Sequence, residues 1–154
     1  MKIHKLIEPE HVYLGLVATG VESALTAVAE AFAPTLGLAS PGVVESLLER
    51  ESLGSTSVGD GFAIPHCKTQ GLGKIAIALA RFADQVPFDG DGRDPVRFVF
   101  VVLSPPDQPA AHLQVLSQIA RVLKRRDLRS ELLTASNADE VVQAICRTAE
   151  AEGL

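Results

Sequence analysis

Apolar positions along the chain alternate between two periods, and the switches outline a succession of helices and strands. Val21, Leu25, Val28 and Phe32 fall at helical spacing behind Thr19-Gly20, and Pro34 with Gly37 closes that helix. Ser40-Pro41 marks a second start, a capping hydroxyl followed by proline in the first turn. Val44, Leu47 and Leu48 give it a buried stripe ending near Glu51-Ser52. From Lys74 to Phe82 the period becomes two, with Ile75, Ile77 and Leu79 on one face and alanines on the other. Val96 to Leu103 is nearly all β-branched, aromatic or leucine, the pattern of a central strand covered on both faces. Ser104 to Pro109 reads as a loop, followed by a helix from about Ala110 with Leu113, Leu116, Ala120 and Leu123 as its core stripe. Asp127 is expected to cap a short helix containing Leu128, Leu132 and Leu133. Ser136 or Asn137 caps the last one, with Val141, Val142 and Ile145 facing inward. Helices before, between and after a few strands predict an α/β sandwich, a small central mixed β-sheet flanked by helices.

Length and composition narrow this picture. The 154 residues, without repeat, low-complexity tract or long linker, suit a single domain over 1–154. A chain of this size buries roughly 68–70% of its unfolded surface, enough for a real core. With no Trp and 5% aromatics, Val, Leu, Ile and Ala must build most of that core. The net charge of −5 argues against a nucleic-acid binder, which needs a concentrated basic face. The one basic cluster, Arg121, Lys124, Arg125, Arg126 and Arg129, reads as the solvated side of a helix. Cys67 and Cys146 form no C-x-x-C pair and read as reduced thiols of a cytoplasmic protein. The N-terminal residues lack the apolar region of a secretory leader, and no apolar run reaches the roughly 18 residues of a membrane span. Direct membrane insertion is therefore not expected; a membrane system would be met as a partner.

Four histidines are candidates for chemistry. His4 and His11 lie in a charged N-terminal stretch and read as surface or cap residues. His66 follows Pro65, whose ring fixes its own φ and restrains Ile64, so a stiff backbone delivers the imidazole. It also follows the glycine-rich segment 54–61, whose amides are candidate anion donors. A neutral imidazole is nucleophilic at physiological pH, and phosphoryl transfer asks little of a protein beyond positioning and charge stabilisation. On local features alone a turn histidine and a nucleophile remain equally open. His112 sits at a helix entrance, where free N–H groups and the dipole favour a phosphate, or where a polar residue simply begins a helix. Arg50 ends the second helix; its guanidinium can grip a phosphoryl group with two donors, or serve as a solvated ion-pair member. No Gly-Lys-Ser/Thr follows the glycines, so nucleotide binding has no support. His66, Cys67 and His112 are too few for a convincing metal site, and no metal or cofactor is expected.

Taken together, Glu49-Arg50-Glu51-Ser52-Leu53-Gly54-Ser55-Thr56 and Val58-Gly59-Asp60-Gly61-Phe62-Ala63-Ile64-Pro65-His66 resemble a known signature. It is that of the enzyme IIA domain, fructose/mannitol type, of the phosphoenolpyruvate-dependent sugar phosphotransferase system, with the nitrogen-regulatory branch as the nearest wording. His112-Leu113-Gln114-Val115-Leu116-Ser117-Gln118-Ile119-Ala120 resembles the family's second-histidine helix, and the resemblance runs over roughly residues 5 to 148. It implies that His66 receives the phosphoryl group from an HPr- or NPr-type carrier, that His112 orients or stabilises it, and that Arg50 balances its charge. Amides near Ser55, Thr56 and Cys67 would be further donors to its oxygens. Cys67 departs from the family, which often has Gly at that place. The implied output is nitrogen-type regulation through target proteins. The alternatives are a sugar-transport subunit passing phosphate to a IIB domain, and an interaction module that never turns over phosphate.

Overall fold

Alternating large and small side chains dictate the two strands at the centre of the sheet. In the computed structural model, which describes residues 2–88 and 92–154, β5 (Ala76–Pro87) pairs antiparallel with β6 (Pro95–Ser104). Four further strands complete a six-stranded mixed sheet: β1 (Val12–Leu16), β2 (Ser57–Gly59), β3 (Phe62–Ala63) and β4 (His66–Lys68). The order is β1-β5-β6-β3-β2. β4 also pairs with β6, parallel to it, with His66 opposite Val102 and Lys68 opposite Ser104. Helices α1 (Val21–Phe32) and α2 (Ser40–Ser52) cover one face; α3 (Pro109–Leu123), α4 (Arg126–Thr134) and α5 (Ala138–Ala151) cover the other. The expected α/β sandwich with a small mixed sheet is the observed architecture.

The period-two reading of β5 holds residue by residue. Ile75, Ile77 and Leu79 join Phe98, Phe100 and Val102 in the core under α3–α5, whereas Ala76, Ala78 and Ala80 join Val99, Val101 and Leu103 under α1 and α2. β5 extends beyond the predicted end at Phe82 because Val86 still pairs with Val96 past an irregularity in the register. β1 escaped the pattern: it is five residues long, and Gly15 within it takes a positive φ of 84° and shifts the register with β5.

Two helices sit differently from expectation. In α3 the buried stripe is His112, Val115, Ile119, Val122 and Leu123, and Leu113 is 66% exposed. Two adjacent apolar stripes compete on this helix, and the one that also buries His112 faces the sheet. Leu116 and Ala120 pack at its margin. In α2, Val43 and Leu47 are buried while Val44 and Leu48 are only partly covered. Asp127 is not the cap of α4. Arg125 holds that position, and Asp127 lies in the first turn, where a carboxylate meets the positive end of the dipole. Asn137 is the true cap of α5, accepting from Glu140 N at 2.9 Å.

His4 and His11 are half-buried rather than surface residues. The His11 ring meets Phe32 edge-on with centroids 4.9 Å apart, and its Nε2 lies 3.2 Å from Thr35 Oγ1. The basic cluster is solvated as expected, with Arg121 and Arg125 paired to Glu152 and Arg129 donating to the Asp60 carbonyl. Cys67 and Cys146 are free thiols. No helix among the described residues is long and apolar enough to cross a membrane.

Candidate functional site

The glycine-rich segment folds as a tight hairpin rather than an anion cradle. Gly59, Asp60 and Gly61 take positive φ in succession, 88°, 55° and 84°, which turns β2 into β3 and explains the flanking glycines. The Thr56 and Ser57 amides before it are committed within the protein. Thr56 N–H and its hydroxyl both donate to the Glu51 carboxylate, at 2.9 and 2.6 Å, and Ser57 N–H donates to Ser55 Oγ at 3.1 Å. Thr56 is buried, Ser55 is exposed, and neither is among the residues that line the cleft holding the histidines. What this segment does is fix the end of α2. Arg50 donates to the Gly54 carbonyl at 2.9 Å while its neighbour Glu51 holds Thr56, so two adjacent residues tie the helix to the loop.

After the hairpin, Pro65 is buried and its carbonyl accepts from Val102 N at 3.0 Å, which locks the entry to β4. His66 and Cys67 then point to opposite faces, as successive strand residues must. His66 turns toward α3. Its ring centroid lies 5.4 Å from that of His112, the planes inclined by 53°. Cys67 joins the core on the α1–α2 side.

His66 Nδ1 lies 2.7 Å from the Ile64 carbonyl. A carbonyl only accepts, so Nδ1 carries the proton and Nε2 of the neutral ring keeps its lone pair. His112 is nearly buried, and its Nδ1 lies 2.5 Å from Ser104 Oγ at the end of β6. Burial first, then the proximity of His66 and Lys68, lowers the His112 pKa from its ordinary value and so disfavours its protonated form.

The cleft around the two rings has a volume of about 510 Å³ and is lined by α2 (Ser46, Glu49, Arg50), by Leu53, by β4 (His66, Cys67, Lys68) and by His112. His66, His112, Arg50 and Cys67 are thus brought together. Lys68, Glu49, Ser46 and Leu53 are the lining residues that sequence reasoning missed. Strand alternation after His66 was the available signal for Lys68; nothing local distinguished Glu49 or Ser46 from solvated helix positions. Burial raises the Cys67 thiol pKa, partly offset by a contact with Thr69 Oγ1, so Cys67 is a packing group rather than a thiolate. Among the described residues no three His, Cys, Asp or Glu side chains gather to hold a metal ion.

The two rings, 5.4 Å apart, share this open cleft with the Arg50 guanidinium. The family model described as "Phosphoenolpyruvate-dependent sugar phosphotransferase system, EIIA 2" matches residues 5–147. The chain belongs to this family. It is 35% identical over 145 residues to a nitrogen regulatory protein of Bradyrhizobium diazoefficiens, covering 94% of this chain and 95% of that protein. It is 36% identical over 107 residues to the fructose-specific EIIA component of Haloferax volcanii, 70% of each chain. The crystal structure of the nitrogen regulatory protein IIA-Ntr from Neisseria meningitidis superposes with a TM-score of 0.85 at 30% identity, covering 93% of this chain and 98% of that one. The chain is therefore a IIA domain of the phosphotransferase system, a phosphocarrier component with both nitrogen-regulatory and sugar-specific relatives.

Proposed function

We propose that His66 Nε2 accepts the phosphoryl group, from the phosphohistidine of an HPr- or NPr-type carrier, and that the loaded chain acts as a nitrogen-type regulator in the cytoplasm. The observation that carries this is the Nδ1 contact of His66 with the Ile64 carbonyl, which leaves Nε2 as the nucleophilic atom. In the transfer the donor N–P bond breaks and its electron pair returns to the donor nitrogen, while the Nε2 lone pair forms the new N–P bond. No proton has to move. The positive charge that develops on the His66 ring strengthens the Nδ1–H bond to Ile64.

The transferred group carries its charge on three oxygens, so catalysis here is positioning and electrostatics. Arg50 meets those oxygens from the α2 side and the His112 imidazole meets them from the α3 side. The Cys67 amide is turned into the β4–β6 ladder, since His66 pairs with Val102 while Val102 N–H donates to the Pro65 carbonyl. The Thr56 N–H and hydroxyl are engaged with Glu51, whereas Ser55 Oγ accepts from Ser57 N–H and the Ser55 donors remain candidates for the phosphoryl oxygens. A phosphohistidine adds negative charge at an otherwise mixed surface, and this is the change a target protein would read.

The fructose-specific relative supports a second reading, in which the chain passes phosphate to a IIB domain. Incubation with phosphoenolpyruvate, enzyme I and an HPr-type carrier, followed by intact-mass spectrometry, tests the shared first step. Addition of a IIB domain then separates the two readings: rapid loss of the label to IIB favours transport, and retention favours regulation. If no phosphoryl group is accepted, the interaction module takes their place.

A further inference from the structure

The apolar run of β6 ends in a buried hydroxyl. Ser104 is 0% exposed, and its Oγ lies 2.5 Å from His112 Nδ1. Its main chain is fixed independently, since the Ser104 carbonyl accepts from Thr69 N at 2.8 Å. The His112 main chain is fixed by the first turn of α3, donating to the Gln108 carbonyl at 3.0 Å. Two rigid elements therefore aim one hydroxyl at one ring nitrogen. A buried hydroxyl without a partner destabilises the fold, so the pair must settle which atom gives the proton.

Two arrangements exist. If His112 Nδ1 carries the proton, Ser104 Oγ accepts it and the hydroxyl proton must find another acceptor, while the Nε2 lone pair faces the cleft. If Ser104 donates, Nδ1 accepts and Nε2 carries an N–H toward the cleft. The first arrangement sets a lone pair against the oxygens of an incoming phosphoryl group. The second sets a donor against them. His66 differs because its Nδ1 partner is a carbonyl, which forces the proton onto Nδ1.

We propose that Ser104 is a positioning residue for phosphoryl transfer: it donates to His112 Nδ1 and so presents His112 Nε2–H to the phosphoryl oxygens, the opposite tautomer to His66. The catalytic part rests on the reading of His66 as the phosphoryl acceptor; the tautomer assignment stands apart from it. The chemistry divides the two rings, His66 supplying the lone pair and His112 the donor.

The test is proton–nitrogen correlation NMR of the imidazoles in the full, uniformly nitrogen-15-labelled chain at mildly alkaline pH. Wild type is expected to show His66 protonated at Nδ1 and His112 at Nε2. In Ser104→Ala the His112 Nε2–H preference is lost, the His66 tautomer is unchanged, and phosphoryl acceptance slows roughly tenfold, the value of one neutral hydrogen bond. Ser104→Thr keeps the hydroxyl and restores both. A wild-type His112 protonated at Nδ1 overturns the proposal without any variant having to fold. So does a folded Ser104→Ala protein with unchanged tautomer and rate. A wild type with the expected tautomers that accepts no phosphoryl group overturns the carrier reading, and with it the catalytic part, so the two failures remain distinct.

Discussion

The two faces of the sheet are built from different side chains, and each sends one helix end to the same short strand. Under α3–α5 the face is large: Phe62 and Phe98 stack with ring centroids 5.1 Å apart, and Phe100 leans against Phe62. Under α1 it is small, with Ala76, Ala78 and Ala80 meeting Ala24, Leu25, Val28 and Ala29. The first layer is filled mainly by aromatic and large aliphatic side chains, whereas the second mixes these alanines with Phe32 and Phe82. The α1–α2 layer contributes Arg50 from the end of α2, and the α3–α5 layer contributes His112 from the beginning of α3. β4, beside β6, holds His66 between them. The site thus depends on both layers keeping their height above the sheet, although neither layer contains it.

The largest expected effect falls on the face under α3–α5. Phe100→Ala should cost about 3–5 kcal/mol, because a ring deleted from a fully buried aromatic cluster leaves a cavity. Denaturant unfolding measures it; a loss below about 1 kcal/mol would mean that this layer collapses onto the gap and is not held by volume.

Arg50 tests the other layer. Arg50→Ala should slow phosphoryl acceptance about a hundredfold, the usual consequence of removing one charge-stabilising donor, with the fold retained. Arg50→Lys should recover only part of the rate, because an ammonium keeps the charge but not the two-pronged geometry. An unchanged rate in single-turnover transfer would remove α2 from the mechanism.

The smallest effect separates His112 by pH. Its pKa is lowered by burial first and by the proximity of His66 and Lys68 second, so the native chain refuses a proton that the unfolded chain takes up at its ordinary value of 6.5. The unfolded state then binds more protons, and stability falls as pH drops below 6.5 toward the lower native pKa. His112→Gln should flatten that part of the profile relative to wild type. Thermal unfolding across pH 5 to 7 checks the slope, and parallel profiles would contradict the assignment.

The layers were far more legible in the sequence than the site was. Period-two alternation in Lys74–Phe82 identified both faces of β5 because a strand separates neighbouring side chains by geometry. The rotation of α3 was not legible, because two apolar stripes run side by side and only the tertiary placement of His112 chooses between them. His66, His112 and Arg50 were found by motif, and the structure gathers them in one cleft. The Thr56 donors face Glu51 rather than the cleft, since a sequence shows amides but not which of them are already engaged. Ser104 looked like the first residue of a loop; its contact with a histidine eight residues on comes from the loop doubling back, which no local pattern encodes.

The most direct test of the central claim is intact-mass spectrometry after incubation with phosphoenolpyruvate, enzyme I and an HPr-type carrier, run on wild type, His66→Ala and His112→Ala with acid treatment afterwards. One acid-labile phosphoryl group on wild type, none on His66→Ala and a slowly acquired one on His112→Ala is the predicted result. A phosphoryl group that persists on His66→Ala, or that survives acid, would contradict His66 as the acceptor.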